Sequence, residues 1–147
     1  MTDEGETEKT VMSKKVIVVD DSRTARQQVT RVLADAGYDV VEAVDGFDGL
    51  DKIVGNRDAA LVICDVNMPK LDGLEMLWTL RTKEPGVTMP VVMLTTEAQP
   101  HLLVKAKQWG ARGWIVKPFR PEMLVAAVRK LAGDATGAPV THGGVGP

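Results

Sequence analysis

Five short apolar runs alternate strictly with five segments of helical length, and no other feature of the chain constrains its fold as much. Most residues in these runs are β-branched or otherwise apolar, which is typical of strands buried on both faces. The alternation predicts an α/β fold, in which a parallel sheet has right-handed crossovers and helices on both faces. The predicted strands are Val16–Val19, Val40–Val44 (interrupted by Glu42), Leu61–Cys64, Val91–Leu94 and Trp114–Val116.

The segments between the runs carry start and stop signals for helices. Gly37 suits the position just beyond the first helix, and Asp45 and Asp72 suit the N-caps of the second and third helices. A proline fits the first turn of each of the last two helices. The predicted helices are Thr24–Ala36, Phe47–Val54, Gly73–Thr82, Pro100 to about Trp109, and Glu122–Leu131, and they complete a (βα)5 pattern.

The 147 residues are enough for one domain of ordinary size. Residues 1–14 are polar and acidic without periodicity, and residues 133–147 are rich in glycine and proline. Neither composition can bury a core, so we expect a disordered acidic arm and a flexible tail around a compact domain of residues 15–132. The tail is too short for a helix-turn-helix, so we expect the output to be binding to another protein.

The composition excludes several classes of function. With 18 basic and 20 acidic side chains the net charge is −2, so the chain has no basic excess for binding nucleic acid. No apolar stretch approaches the roughly 18 residues of a membrane-spanning helix, and the N-terminus lacks a signal-peptide core. We therefore expect a cytoplasmic protein without membrane insertion. The single cysteine, Cys64, excludes an intramolecular disulfide framework and a thiolate-rich zinc site.

Polar residues follow four of the five predicted strands. Asp20 and Asp21 follow the first strand, Asp65 the third, Thr95 the fourth and Lys117 the fifth. Parallel sheets bind ligands beyond the carboxyl ends of their strands, so these side chains are expected at one edge. Three adjacent carboxylates need a raised pKa or a bound cation, and oxygen ligands suit Mg²⁺. Together with a hydroxyl and an ammonium group, they match the requirements of phosphoryl transfer to an aspartate.

Each of these residues has an ordinary explanation when it is taken alone. An acidic pair after a strand often belongs to a helix N-cap region, a lysine before proline is usually a solvated loop residue, and a Thr–Thr pair is usually part of a turn. It is their joint occurrence at successive strand ends that indicates a single site.

Four sequence blocks resemble the receiver domain of two-component response regulators, particularly the stand-alone chemotaxis type. The resemblance covers roughly Lys15 to Leu131 and holds for both the order and the spacing of the blocks. It implies a flavodoxin-like fold with the strand order 2-1-3-4-5. The blocks are VIVVDDS at Val16–Ser22, LVICDVNMPKLDG at Leu61–Gly73, VVMLTTE at Val91–Glu97, and GARGWIVKPF at Gly110–Phe119.

The resemblance implies a role for each residue of the acidic cluster. Asp65 is similar to the phosphoacceptor, which receives its phosphoryl group from a phosphohistidine on a sensor histidine kinase. Asp21 is similar to the direct Mg²⁺ ligand, joined by the Asp65 carboxylate and the backbone carbonyl of Asn67. Asp20 is expected to act mainly through metal-bound water. Mn²⁺ is a substitute that such a ligand set accepts.

The resemblance also implies a conformational switch. Thr95 is similar to the hydroxyl that moves to bond the phosphoryl oxygen. Lys117 is similar to the lysine that pairs with the acyl phosphate, and the Lys117–Pro118 bond is expected to be cis. Trp114 stands where the family usually has tyrosine or phenylalanine. Its larger indole either still swings inward when Thr95 moves or stays fixed and weakens the coupling.

Two further positions resemble tuning sites for the lifetime of the phosphoryl group, and a third, Thr96, departs from the family pattern. Asn67 and Glu97 stand two residues after the acceptor and the switch hydroxyl, where the family modulates the hydrolytic water, and they predict a lifetime of seconds to minutes. Thr96 is bulkier than the alanine or glycine common there, which would slow the entry of donors. The ordinary alternative is that Asn67 and Glu97 are simple loop residues.

The predicted output is a protein-binding surface around the fourth helix, fifth strand and fifth helix of a monomer or weak dimer. Trp78 and Trp109 are candidates for a partner surface, or else they pack against a neighbouring helix. Such a domain catalyses only its own phosphotransfer and autodephosphorylation. A pseudo-receiver that binds proteins without phosphorylation, and a phosphorelay intermediate, are the alternatives.

Two classes of enzyme or carrier fit the sequence less well. A phosphatase with an aspartate nucleophile would need an acid/base aspartate two residues after that nucleophile, where this chain has Asn67. A flavin-binding electron carrier would need a glycine-, serine- and threonine-rich loop after the first strand, and the loop here reads DDSRTAR.

Overall fold

A parallel sheet with the strand order β2-β1-β3-β4-β5 forms the centre of the molecule, with five helices among the described residues. The computed structural model describes residues 13–96 and 99–136. The predicted α/β fold and its strand order are confirmed. The elements are β1 (Lys15–Val19), α1 (Arg23–Asp35), β2 (Asp39–Ala43), α2 (Gly46–Gly55), β3 (Leu61–Cys64), α3 (Gly73–Lys83), β4 (Val91–Thr95), α4 (Pro100–Gln108), β5 (Ala111–Val116) and α5 (Pro121–Ala132).

The sheet is covered on both faces because its strands alternate their side chains between two apolar cores. In β1, Ile17 and Val19 belong to the core under α2, α3 and α4, whereas Val16 and Val18 belong to the core under α1 and α5. Along α3, the apolar side chains of Leu74, Leu77 and Leu80 are buried in the first of these cores. Burial on both faces leaves the strand ends as the place for polar side chains.

The predicted helix caps form at α2 and α3. The Asp45 carboxylate accepts from the Asp48 N–H, and Asp72 forms a capping box with Glu75. Pro100 begins α4, as predicted, and α5 begins at Pro121, one residue before the predicted start at Glu122. At α1 the cap is the Ser22 hydroxyl, which accepts from the Ala25 N–H, so α1 begins and ends one residue before the prediction.

The largest difference from the predicted elements is at β5, which begins three residues before Trp114. Ala111, Arg112 and Gly113 have little strand propensity of their own. They are ordered as a strand by pairing with β4, in which Val91 faces Ala111 and Val92 faces Gly113 across a register shift.

The described chain continues past both predicted domain boundaries. Ser13 and Thr136 form an isolated antiparallel bridge, and the Lys14 N–H donates to the Ala135 carbonyl over 2.7 Å. The Tyr38 hydroxyl donates to the Gly133 carbonyl over 2.6 Å. The remainder of the predicted arm and tail, residues 1–12 and 137–147, lies outside the described residues. None of the helices described is long and apolar enough to span a membrane.

Candidate functional site

Three carboxylates meet where β1 and β3 end, at the carboxyl edge of the sheet. Asp20 and Asp21 follow β1, and Asp65 follows β3 and donates its N–H to the Val19 carbonyl over 3.0 Å. One carboxylate oxygen from each aspartate lies within 4.8 Å of the others. Asp20 and Asp65 are buried and Asp21 is exposed, so the cluster is open to solvent on one side.

The Asp65 carboxylate is buried among donors. It accepts hydrogen bonds from the Thr95 side chain and from the Asn67 backbone N–H. Burial, followed by the charge of Asp20, raises the pKa of Asp65, while Lys117, Thr95 and Asn67 oppose this increase. Thr95 itself is fully buried at the end of β4. A shielded carboxylate with directed donors suits an aspartate nucleophile.

The Lys117 ammonium group reaches the carboxylates from the end of β5. Its Nζ donates to Asp20 Oδ2 over 3.0 Å and lies 3.9 Å from Asp65 Oδ1. The Lys117 N–H donates to the Thr95 carbonyl over 2.9 Å, which holds the residue directly after the strand. The Lys117–Pro118 peptide bond is cis, as the resemblance implies. The fold thus brings the five polar residues predicted from strand ends to one place.

The loop between β1 and α1 is held from several directions. The Asp20 N–H donates to the backbone of β2, and the Ser22 N–H donates to Asp20 Oδ1 over 2.9 Å. Arg26 Nη1 donates to the Asp20 carbonyl oxygen over 2.9 Å, and Arg26 Nε donates to Glu42 Oε1 over 2.8 Å. Nothing in the local sequence distinguishes Arg26 from Arg23, because this contact depends on Glu42 of the neighbouring strand.

The donor set at this edge fits a hard divalent cation. All three clustered side chains offer carboxylate oxygens, the ligands that Mg²⁺ takes together with water. The exposure of Asp21 leaves room for metal-bound water, whereas Lys117 already binds one oxygen of Asp20. The Asn67 N–H bonds Asp65, and a role for its carbonyl as a ligand stays a prediction.

The loop between β3 and α3 packs tightly against the acceptor. The Gly73 N–H donates to the Val66 carbonyl over 2.9 Å. A Cβ atom at Gly73 would overlap the Asp65 carbonyl oxygen and would lie 2.9 Å from the Asp65 carbonyl carbon. A Cβ atom at Gly46 would overlap the Leu71 carbonyl oxygen. The sequence shows Gly73 only as a helix start, because a close approach of two backbone segments leaves no local signal.

Comparisons with known proteins agree with this geometry. A family model described as the response regulator receiver domain matches residues 16–129. The chain belongs to this receiver domain family. The family resemblance predicted from the four sequence blocks is thereby confirmed. Receiver domains are signalling modules of two-component systems, and phosphorylation by a kinase and Mg²⁺ binding at an acidic cluster are general in the family.

Chemotaxis regulators are among the similar proteins. A chemotaxis protein CheY homolog of Campylobacter jejuni is 36% identical over 124 residues, covering 84% of this chain and 95% of the relative. Chemotaxis protein CheY1 of Helicobacter pylori is 35% identical over 120 residues, covering 81% of this chain and 97% of that protein. The crystallised chemotaxis protein CheY4 of Vibrio cholerae has a TM-score of 0.75 and 41% identity, covering 81% of this chain and 98% of that one.

Two of the aromatic residues predicted to be functional, Trp109 and Trp114, are partly buried against the core of this receiver domain. Trp114 is half-buried beside a cavity of about 240 Å³ between α4 and β5. Its indole Nε1 is buried and has no hydrogen-bond partner among the described residues. Trp109 directly follows α4 as its C-cap, packs against the core, and has Lys105 Nζ 6.0 Å from its ring centroid. This partial burial favours the packing alternative for Trp109, and its role in a partner surface stays a prediction.

The other candidate residues lie at the surface or outside the described residues. Trp78 on α3 is 46% exposed. Tryptophan is enriched at binding surfaces, so its role in a partner surface stays a prediction. Thr96 is exposed directly after β4, on the wall of a cavity next to Lys117. Glu97 lies outside the described residues.

Lys70, in the loop between β3 and α3, is strained. Its φ is 71°, in the left-handed region that disfavours residues with a Cβ atom, and its side chain is exposed. Replacing Lys70 by glycine is therefore expected to stabilise the protein by about 1 kcal/mol in urea unfolding. The matched change at Lys130, within α5, is expected to destabilise it by about 1 kcal/mol. Equal effects at the two positions would contradict the assignment of strain to Lys70.

Proposed function

We propose that the protein is a single-domain response regulator that accepts a phosphoryl group on Asp65 and switches a protein-binding surface. The donor is the phosphohistidine of a sensor histidine kinase in the cytoplasm, and the reaction depends on Mg²⁺. The observation that carries this proposal is the setting of Asp65. Its buried carboxylate accepts from Thr95, lies 3.9 Å from the Lys117 ammonium group, and shares an oxygen cluster with Asp20 and Asp21.

The transfer is a displacement at phosphorus. A carboxylate oxygen of Asp65 attacks the phosphorus atom, a P–O bond forms, the P–N bond to the imidazole breaks, and the departing imidazole takes up a proton. Asp21, Asp65 and the Asn67 carbonyl would hold Mg²⁺, with Asp20 acting through water, and the bound ion would supply positive charge against the phosphoryl oxygens. Lys117 is close enough to both buried carboxylates to pair with a phosphoryl oxygen at Asp65.

The same site ends the signal. Water attacks the phosphorus of the acyl phosphate, the bond to Asp65 breaks, and inorganic phosphate leaves. We propose that Asn67 and Glu97 set the rate of this step, with a lifetime of seconds to minutes. In this proposal the domain catalyses only its own phosphorylation and dephosphorylation.

A cavity beside the site supports approach of a protein donor. Its volume is about 600 Å³, and it lies between α1 and the segment that follows β5. Its wall includes the apolar side chains of Val32 and Phe119, the exposed Arg31, and Thr96 next to Lys117. An apolar wall with a cation suits a helical partner surface that carries a phosphohistidine toward Asp65.

The proposed switch starts at the hydrogen bond between Thr95 and Asp65. Phosphorylation adds charge and acceptor oxygens at Asp65, which draw Thr95 and Lys117 toward the phosphoryl group. The segment after β4 then shifts, and we propose that Trp114 follows into the cavity of about 240 Å³ beside it. The coupling is limited to the difference in interaction energy between the two states, typically about 1–3 kcal/mol.

The proposed output face consists of the exposed residues of α4, β5 and α5. Each of these elements exposes one large apolar side chain, Val104, Val116 and Met123 respectively. A downstream protein is the proposed ligand of this face, with Trp78 on α3 as a second candidate contact. The proposal is for a monomer or weak dimer in the unphosphorylated state.

The mass of the intact protein after incubation with acetyl phosphate tests the proposal. With Mg²⁺ we expect a gain of one phosphoryl group that maps to the peptide containing Asp65, and with EDTA we expect none. The adduct should decay within minutes after the donor is removed. Absence of an adduct with both acetyl phosphate and a phosphorylated histidine kinase would overturn the proposal in favour of a pseudo-receiver.

A further inference from the structure

Arg26 contacts the acidic loop from α1 and is largely buried despite its charge. Its side chain is 11% exposed. The guanidinium group donates hydrogen bonds to two acceptors. Nη1 donates to the Asp20 carbonyl oxygen over 2.9 Å, and Nε donates to Glu42 Oε1 over 2.8 Å. Because the guanidinium group is planar and rigid, binding two acceptors at once fixes both the distance and the angle between them. Arg26 therefore connects α1 and β2 to the backbone of the loop that contains Asp20 and Asp21.

The carbonyl group that Arg26 binds belongs to the peptide joining Asp20 to Asp21. The orientation of that peptide determines the direction in which the Asp21 side chain leaves the backbone. Asp20 is also fixed by other bonds, since its carboxylate accepts from the Ser22 N–H and from Lys117. The Asp21 carboxylate is exposed, so its direction depends on the backbone that Arg26 holds.

Glu42 in turn holds Arg26 from the neighbouring strand. The Glu42 side chain is 36% exposed, but its Oε1 accepts a short bond from the buried guanidinium group. The Glu42 carbonyl oxygen accepts from Lys52 Nζ over 3.3 Å, which connects this part of β2 to α2. Arg26 is thus fixed at one end by a structural carboxylate and at the other by the acidic loop.

We propose that Arg26, oriented by Glu42, is a positioning residue for the metal site. By fixing the Asp20–Asp21 peptide, it directs the Asp21 carboxylate toward Asp65, so that the two can share one divalent cation. This inference rests on the proposed function, in which Asp21 and Asp65 bind Mg²⁺. Groups that orient metal ligands typically change metal affinity by about 10–100-fold when they are removed.

Electrostatics alone predicts the opposite effect. Arg26 is a cation next to a cluster of carboxylates, and removing it would strengthen the attraction of that cluster for a divalent cation. Positioning predicts weaker metal binding when Arg26 is removed. The sign of the change therefore distinguishes the two accounts.

The test is a titration of the full chain with Mn²⁺, without a phosphodonor, in which free Mn²⁺ is measured by electron paramagnetic resonance. We expect Arg26→Ala to raise the Kd for Mn²⁺ about tenfold, and Glu42→Ala to raise it less. The double variant should match Arg26→Ala, because the pair acts as a unit. Arg23→Ala is the matched control, since Arg23 is exposed on the first turn of the same helix, and we expect an unchanged or lower Kd.

A second measurement separates positioning from damage to the reaction. In phosphorylation by acetyl phosphate, the Mg²⁺ concentration giving half the maximal rate should rise about tenfold in Arg26→Ala. The rate at saturating Mg²⁺ should stay within about twofold of the wild-type rate. Arg26→Lys keeps the positive charge but lacks the planar guanidinium group that binds both acceptors, so it should also bind Mn²⁺ more weakly. This variant provides the test if Arg26→Ala does not fold.

Two results would overturn the inference, and they are distinguishable. If the wild-type protein binds Mn²⁺, Asp21→Asn does not, and folded Arg26→Ala and Arg26→Lys bind as tightly as the wild type, only the positioning role fails. If the wild-type protein binds no Mn²⁺, the metal site of the proposed function fails with it.

Discussion

Replacing Asp65 by asparagine is expected to abolish the phosphoryl adduct completely and to make the folded protein more stable at neutral pH. The adduct is lost because the amide is not a nucleophile for phosphorus. Stability rises because burial and the Asp20 charge disfavour the ionised carboxylate in the folded state, which is why the pKa of Asp65 is raised. We expect the midpoint of thermal unfolding to rise by several degrees in EDTA.

The stability gain of Asp65→Asn should depend on pH in a defined direction. The folded-state pKa lies above the ordinary value of 3.8, so the folded wild-type protein holds this proton more tightly than the unfolded chain. The wild-type protein therefore loses stability as the pH rises from about 3.8 through the raised pKa. Below 3.8 the carboxyl is neutral in both states, and the difference between variant and wild type should largely disappear.

Asp58→Asn is the matched control for Asp65→Asn. Asp58 is an exposed carboxylate that pairs with Lys15 at 3.3 Å, away from the acidic cluster. Its replacement should leave the phosphoryl adduct intact and should change stability by less than about 1 kcal/mol. An adduct that persists in Asp65→Asn at the wild-type level would assign the acceptor to another residue.

Replacing Gly73 by alanine is expected to destabilise the protein by about 3 kcal/mol and to slow phosphorylation of whatever remains folded. The added Cβ atom would overlap the carbonyl oxygen of Asp65, a backbone atom at the end of a central strand. The overlap can be relieved only by moving α3 or the acceptor itself. Urea unfolding and the rate of adduct formation with acetyl phosphate measure the two effects.

Gly55→Ala gives the corresponding control for Gly73→Ala. Gly55 is the last residue of α2, and a Cβ atom there would have no neighbour within 4 Å. The same chemical change should therefore be neutral or stabilising by up to about 1 kcal/mol. Similar losses of stability in both variants would show that the close packing of Gly73 against Asp65 is not the cause.

The fold and the position of the site could be predicted because both depend on local patterns. Apolar runs alternating with capped helices permit few arrangements other than a doubly wound parallel sheet. In such a sheet the residue after each strand lies at one edge, so Asp65, Thr95 and Lys117 are predicted to meet although they are far apart in the sequence.

The contacts that could not be predicted join residues distant in the sequence without any local signal. The contact of Arg26 on α1 requires Glu42 of β2, and the need for glycine at position 73 comes from the backbone of Asp65. The packing of Trp109 depends on the position of its helix against the core, which the sequence pattern does not specify.

The bridge between Ser13 and Thr136 has a practical consequence. Both residues lie at the amino end of the sheet, opposite Asp65, and the five residues of β1 separate the two ends by about 17 Å. An affinity tag, a dye or a surface linker joined through either residue is thus anchored on the side of the domain away from the phosphoacceptor. Immobilised in this way, the protein would present its acceptor edge freely to a kinase in solution.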